Sequence, residues 1–87
     1  MNYCVYVLLS KQAKIPVTYV GYTNNIKKRL LLHNTSKGAK FTKGKKWILI
    51  YKKYFKNKSL ALKNEYKLKK DKKKRLLIKN NYLNKQN

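Results

Sequence analysis

The stretch YVGYTNNIKKRLLLH, residues 19–33, passes from β-forming residues through a glycine and three turn-forming residues into an amphipathic segment. It predicts a short strand, a turn and then a helix that runs to about His33 or Asn34. Thr23 or Asn24 is the predicted N-cap of that helix, because a short polar side chain can accept a hydrogen bond from the first turn. Gly21, at the end of the strand, allows a backbone or a ligand to approach closely.

Arg29 and His33 lie four residues apart in the predicted helix, so they share one of its faces. They flank the inner stripe of Ile26 and Leu30, close to Tyr19 of the preceding strand. A cluster of phenol, guanidinium and imidazole groups suits phosphate chemistry, and the stretch has no nucleophilic serine or cysteine and no acid. The alternatives are a solvated histidine at the end of the helix and an ordinary surface arginine.

The chain of 87 residues is the size of one small domain, which we place at residues 1–83 with a frayed tail at 84–87. Its longest apolar run, Tyr3–Leu9, is too short to span a bilayer and has no basic segment ahead of it. We therefore expect a soluble cytoplasmic protein without a membrane partner. The single cysteine, Cys4, lies in this run, and core packing is its expected role.

The charge is strongly positive: 24 lysines and arginines face two acids, which gives a formal net charge of +22 and a pI near 10.3. Such an excess predicts an anionic partner, and nucleic acid comes first because each neutralised phosphate releases counterions. Only Arg29 and Arg75 are arginines, so an A+T-rich coding sequence is an alternative source of the lysines. Acidic membrane or protein surfaces are alternative partners.

Three runs of sequence predict β-strands. Residues 2–9 are apolar on both alternating faces, which is typical of a central strand. Val17–Tyr22 gives the second strand, joined to the first as a hairpin with a longish loop. Trp47–Tyr51 gives the third, with a possible extension through Tyr54 and Phe55, and Tyr51 and Tyr54 are expected to fill the core.

Two further helices follow the strands. Ser59 is the predicted N-cap of the second, whose inward residues are expected to be Ala61, Leu62, Tyr66 and Leu68. Asp71 is the predicted cap of the third helix, from Lys72 to about Tyr82.

Glu65 lies within the apolar stripe of the second predicted helix, three residues after Leu62 and three before Leu68. An inward carboxylate is costly unless it is paired or binds a metal ion. Glu65 is thus a candidate sole protein ligand of a divalent ion. An ion pair with Lys69, one turn later, explains the same spacing equally well.

The segment Thr35–Lys46 is a basic loop with two glycines, Gly38 and Gly44. Its lysines and those of the preceding helix suit contacts to backbone phosphates, although a solvated surface is the alternative. The candidate nucleic-acid-binding residues are Lys27, Lys28, Lys37, Lys40, Lys43, Lys45 and Lys46.

Five short motifs in this order resemble the GIY-YIG nuclease family. They are Val5-Tyr6-Val7, Tyr19-Val20-Gly21, Arg29 with His33, Gly38-Ala39-Lys40-Phe41-Thr42, and Glu65 on a later helix. The resemblance covers roughly residues 2–70 and is greatest to small stand-alone single-domain members related to the excision-repair endonuclease catalytic domain. It implies an α+β fold with a three-stranded antiparallel sheet flanked by helices.

The resemblance also implies hydrolysis of phosphodiester bonds with one divalent ion, Mg²⁺ or Mn²⁺. Glu65 would be the metal ligand, Arg29 would neutralise charge on the phosphorane, and Tyr6 would accept the proton of the attacking water. His33 would relay that proton, and Tyr19 would orient the water or the phosphate. Which phenol is the base stays open, because either tyrosine suits that role.

The expected function is therefore a structure-sensitive DNA endonuclease of repair or recombination intermediates, with DNA a more suitable partner than RNA. A targeting partner protein is possible. The alternatives are a non-catalytic nucleic-acid-binding module with the same fold and a ribosome-type RNA-binding protein. Four positions depart from the family pattern. Val5 replaces a glycine, Val7 and Val20 are conservative replacements for isoleucine, and Leu77 stands where larger members have an asparagine.

Overall fold

The first strand is the centre of the structure. The computed structural model describes residues 2–12 and 14–85, and within them the elements follow the order strand, strand, helix, strand, helix, helix. They are β1 (Tyr3–Ser10), β2 (Val17–Thr23), α1 (Ile26–Asn34), β3 (Ile48–Phe55), α2 (Lys58–Lys70) and α3 (Lys72–Lys85). The predicted α+β class with a three-stranded antiparallel sheet is confirmed.

The strands lie in the order β2-β1-β3, and β1 is antiparallel to both neighbours. Every residue of β1 after Tyr3 is buried, so the prediction of a central strand from its two apolar faces is confirmed. The register places Tyr6 opposite Gly21 of β2 and opposite Lys52 of β3. Both outer strands are edge strands.

The two faces of the sheet carry separate clusters of buried side chains. One cluster contains Cys4, Tyr6, Leu8 and Trp47, with Ile26 and Leu30 of α1 packed against it. The other contains Val5, Val7, Val20, Ala61 and Leu68, which come from the sheet and α2. The sheet thus lies between α1 on one face and α2 with α3 on the other, and the core role predicted for Cys4 is confirmed.

Two predicted helix caps are wrong by one or two residues. The Asn25 side chain, not Thr23 or Asn24, caps α1 by accepting from the Lys28 N–H at 3.1 Å. The Thr23 hydroxyl instead accepts from the N–H of Asn25 in the preceding turn. Likewise Asn57, not Ser59, caps α2, because its extended backbone lets the side chain accept from Leu60 N–H at 2.9 Å.

Asp71 caps α3 as predicted, since its carboxylate accepts from the Lys74 N–H at 3.0 Å. Its own N–H donates to the carbonyl of Lys67, so the same residue ends α2. Helix α3 continues to Lys85, beyond the predicted end near Tyr82. Fraying of the tail remains a prediction, because residues 84 and 85 form the last turn of α3 and residues 86 and 87 lie outside the described part.

The inward face of α2 is narrower than predicted. Ala61 and Leu68 are buried, but Leu62 is 38% exposed and Tyr66 is 54% exposed, so the inward prediction is wrong for these two residues. The Lys70 ammonium instead lies 4.5 Å from the centre of the Tyr66 ring. Tyr54 of β3, expected in the core, is 53% exposed because it lies on an edge strand.

None of the helices in residues 2–12 and 14–85 combines the length and hydrophobicity needed to cross a membrane.

Candidate active site

Tyr6 projects from the central strand towards α1, and its ring lies directly over Gly21 of the neighbouring strand. A Cβ atom at position 21 would meet the Tyr6 hydroxyl oxygen, and it would lie 2.6 Å from Cζ of that ring. Only glycine leaves this space, so the close approach predicted at Gly21 is made by the phenol of Tyr6.

His33 is completely buried, so the interpretation as a solvated histidine at a helix end is wrong. It lies in the last turn of α1 and points into the face of the sheet that carries Tyr6. Gly38 of the following loop lies against the imidazole, and a Cβ atom there would be 2.8 Å from Cγ of the ring. Each ring of the pair is therefore packed against a glycine.

Tyr6, His33 and Thr42 form one hydrogen-bonded chain. The Tyr6 hydroxyl lies 2.8 Å from Nε2 of His33, and Nδ1 of His33 lies 2.8 Å from Oγ1 of Thr42. The Thr42 hydroxyl lies 3.0 Å from the carbonyl of Ala39, and donating its one hydrogen there leaves its oxygen to accept from His33. This network assigns the hydrogen of His33 to Nδ1, which leaves Nε2 as the acceptor for the Tyr6 hydroxyl.

The electrostatics of the site favour two neutral rings. Burial raises the pKa of Tyr6 to about 12. A hydrogen bond from Arg29 and the positive charge of that side chain offset part of the rise, whereas Tyr19 and Glu65 add to it. Burial also lowers the pKa of His33 below its usual 6.5, and Arg29 lowers it further. At neutral pH the imidazole is thus free to accept a proton.

Arg29 lies at the edge of two clefts of about 310 and 250 Å³, which also share Thr23 and Asn24. Its Nε atom is buried and has no acceptor among the described residues. The guanidinium lowers the pKa of both Tyr6 and His33, so it lies beside the hydrogen-bonded chain. An anion entering the clefts would meet an unneutralised, planar donor group next to the phenol.

The side chain of Glu65 is 14% exposed, and its Oε1 lies 3.6 Å from Nζ of Lys69. The ion pair considered from the spacing is therefore present, but it is long and its lysine is half exposed, so it is weak. The Glu65 carboxylate helps to raise the pKa of Tyr6, so it lies within electrostatic range of the phenol, although α2 packs on the opposite face of the sheet.

The donor set fits one magnesium or manganese ion held mainly by water and substrate. No group of three histidine, cysteine, aspartate or glutamate side chains suited to a metal occurs in residues 2–12 and 14–85. Mg²⁺ keeps several waters and is commonly bound through one or two carboxylates together with substrate phosphates. The mostly buried carboxylate of Glu65, held only by a weak ion pair with Lys69, meets that requirement.

Tyr19 belongs to a group of aromatic rings beside the imidazole. Its ring centre lies 5.1 Å from that of His33 and 6.1 Å from that of Phe41, on which it stacks. Trp47 also belongs to the group, since its ring contacts those of Tyr19 and Phe41. Its indole N–H donates to the carbonyl of Thr42 at 3.0 Å. The Asn34 side chain accepts from the backbone N–H of Trp47 at 2.6 Å and so ties the end of the loop to α1.

The structure thus brings together Tyr6, Tyr19, Arg29 and His33, with Glu65 near enough to act on Tyr6. Sequence reasoning missed Thr42 as a site residue, although Thr42 ends the motif that begins at Gly38. It also missed Asn34 and Trp47, which hold the loop that carries Thr42.

Six of the seven candidate lysines have exposed side chains, which suits phosphate contacts and a solvated surface alike. Lys45 is the partly buried one: its ammonium lies 5.4 Å from the centre of the Phe41 ring and donates to the Phe41 carbonyl.

Leu77, at the position where larger members carry an asparagine, is 59% exposed.

Three comparisons with known proteins agree with this arrangement. Residues 2–82 match the family model described as the GIY-YIG catalytic domain. A UPF0213 protein of Oceanobacillus iheyensis is 44% identical over 66 residues, which are 75% of this chain and 73% of that protein. A UPF0213 protein of Clostridium perfringens is 44% identical over 71 residues, covering 80% of this chain and 72% of the relative.

The fold comparison gives the same result. The solution NMR structure of a UPF0213 protein from Bacillus halodurans aligns with a TM-score of 0.52 and 34% identity, covering 91% of this chain and 84% of that one. Because the family match spans nearly the whole sequence, the resemblance seen in the sequence is confirmed: the chain belongs to the GIY-YIG catalytic domain family.

Proposed function

We propose that the protein is a divalent-metal-dependent endonuclease that hydrolyses phosphodiester bonds in DNA and prefers branched or interrupted duplexes, such as repair or recombination intermediates. The observation that carries this proposal is the hydrogen-bonded chain from Tyr6 through His33 to Thr42, beside Arg29, whose buried Nε has no acceptor among the described residues. Membership of a nuclease family and the net charge of +22 support the choice of substrate.

The proposed reaction begins with a proton transfer. The phenol of Tyr6 is neutral at working pH, so it accepts the proton of the attacking water only if its own proton leaves. Nε2 of His33 is positioned to take that proton at 2.8 Å, while Nδ1–H stays bonded to Thr42. The hydroxide formed attacks phosphorus, and the P–O bond to the leaving strand breaks.

Arg29 and Glu65 deal with the charge that this attack creates. The guanidinium of Arg29 lines the clefts next to Tyr6 and would bind the non-bridging oxygens of the phosphorane. Glu65 would hold Mg²⁺ or Mn²⁺, which when bound supplies Lewis-acid stabilisation of the phosphate and of the leaving oxygen. Tyr19, packed on the imidazole, would orient the water or the phosphate.

Cleavage assays with a matched pair of acid variants test this function. The substrates are labelled flaps, forks, four-way junctions, single strands and blunt duplexes, each with Mg²⁺, Mn²⁺ or EDTA. The chain has only two acids, so Asp71→Asn is the control for Glu65→Gln, and asparagine keeps the capping role of Asp71. The parent and Asp71→Asn should cut branched DNA in Mg²⁺, and Glu65→Gln should not. Equal cutting by Glu65→Gln would show that Glu65 holds no essential metal.

A non-catalytic nucleic-acid-binding module is the second candidate. Two observations favour it. The ion pair of Glu65 with Lys69 weakens the case for a bound metal, and the exposed Leu77 replaces an asparagine of the larger members. This candidate predicts binding that falls steeply with salt and no cleavage of any substrate with either metal.

A further inference from the structure

The two arginines of this lysine-rich chain share an unusual property. Arg29 and Arg75 both keep a buried Nε atom without a hydrogen-bond acceptor among the residues that the structure describes. Arg29 lies in the candidate active site, whereas Arg75 lies on α3 and lines a separate cleft. A buried donor without an acceptor costs free energy. We therefore asked whether a ligand could contact the guanidinium of Arg75.

The cleft around Arg75, here named the α3 cleft, has a volume of about 140 Å³. It is lined by Thr18, Lys72, Arg75, Leu76 and Lys79. The four α3 residues are spaced three and four apart, so they form one face of the helix. The cleft therefore offers three cationic side chains and one hydroxyl.

Within the described residues, no acid forms an ion pair with these cations. Asp71 precedes Arg75 by four residues, but its carboxylate caps α3 and it lines a different cleft. Glu65, the other acid, is paired with Lys69. Over residues 2–12 and 14–85 Arg75 forms no ion pair, so an anion entering the α3 cleft would relieve the repulsion of three like charges.

The α3 cleft lies on the other side of the edge strand β2 from the active site. Thr18 lies on the same face of β2 as Val20, which belongs to the buried cluster on the α2 face. Tyr19, between them, packs on the opposite face, against α1. Thr18 is three residues from Gly21, which corresponds to roughly 10 Å along a strand. Because β2 is the outermost strand, a nucleic-acid strand can cross its edge and reach both faces.

We propose that the α3 cleft binds a backbone phosphate of the nucleic acid whose cleavage site lies at Tyr6 and Arg29. The planar guanidinium of Arg75 gives the paired donors that match phosphate oxygens, and the two lysines add charge around them. A substrate that bends around β2 or carries a second arm would contact both sites at once. This inference rests on the proposed function for the identity of the partner, and it supplies a physical origin for the preference for branched substrates.

The experiment uses the fact that the chain has only two arginines, so ¹H–¹⁵N spectra contain only two arginine Nε–Hε signals. Flap DNA is titrated into the ¹⁵N-labelled full chain in EDTA, where no cleavage occurs, and Arg75→Lys assigns the signals by removing one of them. Both Nε signals should shift with the same saturation curve. If the signal of Arg75 does not move while DNA saturates the protein, the proposal is wrong.

A salt titration gives a second readout. Arg75→Gln should lower the slope of log affinity against log salt by about 1, so its binding defect shrinks about four-fold between 50 and 200 mM salt. Lys73→Gln removes the same charge from the exposed, neighbouring face of α3 and is the control. Equal slopes for the two variants would overturn the proposal. Because both readouts measure binding in EDTA, they are independent of whether the protein cleaves DNA.

Discussion

The hydroxyl oxygen of Tyr6 and Nε2 of His33 lie 2.8 Å apart, although the two residues are 27 positions apart in the sequence. The contact has a direction, because Thr42 fixes the hydrogen of the imidazole on Nδ1 and thereby makes Nε2 an acceptor. A proton can therefore move from the phenol to the imidazole without a change of tautomer. This property distinguishes Tyr6 from the other seven tyrosines as the candidate base.

Replacing the two site phenols one at a time tests the assignment of the base. Tyr6→Phe removes the proton acceptor, so we expect cleavage to fall by about 10²–10⁴-fold. Tyr19→Phe keeps the ring that packs on His33 and should reduce cleavage by less. Single-turnover rates on a flap substrate give the comparison, and circular dichroism confirms that both variants fold. A larger defect in Tyr19→Phe would move the base to Tyr19.

Thr42→Val tests the hydrogen bond that orients His33. The variant keeps the shape of a fully buried side chain but leaves Nδ1 of His33 without its acceptor, which should destabilise the protein by about 1–3 kcal/mol. Cleavage should also fall, because the imidazole can then adopt the other tautomer. ¹⁵N chemical shifts of the single histidine report the tautomer directly. Unchanged shifts would show that Thr42 does not set it.

The pH dependence of stability should reflect the buried imidazole. Burial lowers the pKa of His33 in the folded state, so below about pH 6.5 the unfolded chain binds a proton that the folded chain does not. The stabilisation is thus complete above pH 6.5 and is lost as the pH falls through the lower folded pKa. Urea unfolding followed by circular dichroism at pH 5 to 8 measures it. His33→Asn should flatten the curve, and an equally steep curve in that variant would assign the effect to other groups.

The raised pKa of Tyr6 should make stability fall as the pH rises in the alkaline range, opposite to the effect of His33. Because burial raises this pKa to about 12 from its ordinary value of 10, the folded state keeps a proton that the unfolded state loses. Stability should therefore be unaffected below pH 10 and fall between pH 10 and 12. Tyr6→Phe should lose this part of the decline, as measured by urea unfolding. A parallel decline in Tyr6→Phe would contradict the assignment.

Two glycines should not tolerate alanine. A Cβ atom at Gly21 would lie 2.6 Å from Cζ of Tyr6, and one at Gly38 would lie 2.8 Å from Cγ of His33. Each substitution should cost about 1–3 kcal/mol of stability and displace a site ring. The control is Gly44→Asn, because Gly44 has a φ of 79° that asparagine tolerates and no heavy atom near a Cβ position. If Gly38→Ala cleaves like the control, the position of the imidazole is not critical.

The central strand and the last helix cap were predictable from local physics. Residues 2–9 are apolar on both faces, which only a central strand requires, and Asp71 is the only acid near a helix start. The caps of α1 and α2 were wrong because several neighbouring residues, Thr23, Asn24 and Asn25 in the first case, are all good caps. Local sequence gives no means to choose between them.

The burial of His33 was visible in the spacing but was overlooked. His33 follows Ile26 and Leu30 at intervals of four and three, so it continues the inner stripe of α1. Thr42 had no such signal, because an irregular loop brings it to the imidazole. Leu62 and Tyr66 were placed inward on hydrophobicity alone, but the sheet of this small domain offers α2 only a narrow contact surface.

The indole of Trp47 donates to the carbonyl of Thr42, the residue that orients the imidazole. Trp47 is also the only tryptophan in the chain. Its fluorescence therefore reports on the loop that completes the active site, without any attached label. Quenching or a wavelength shift on ligand addition, recorded in milliseconds by stopped flow, would follow rearrangement of that loop before any bond is cut.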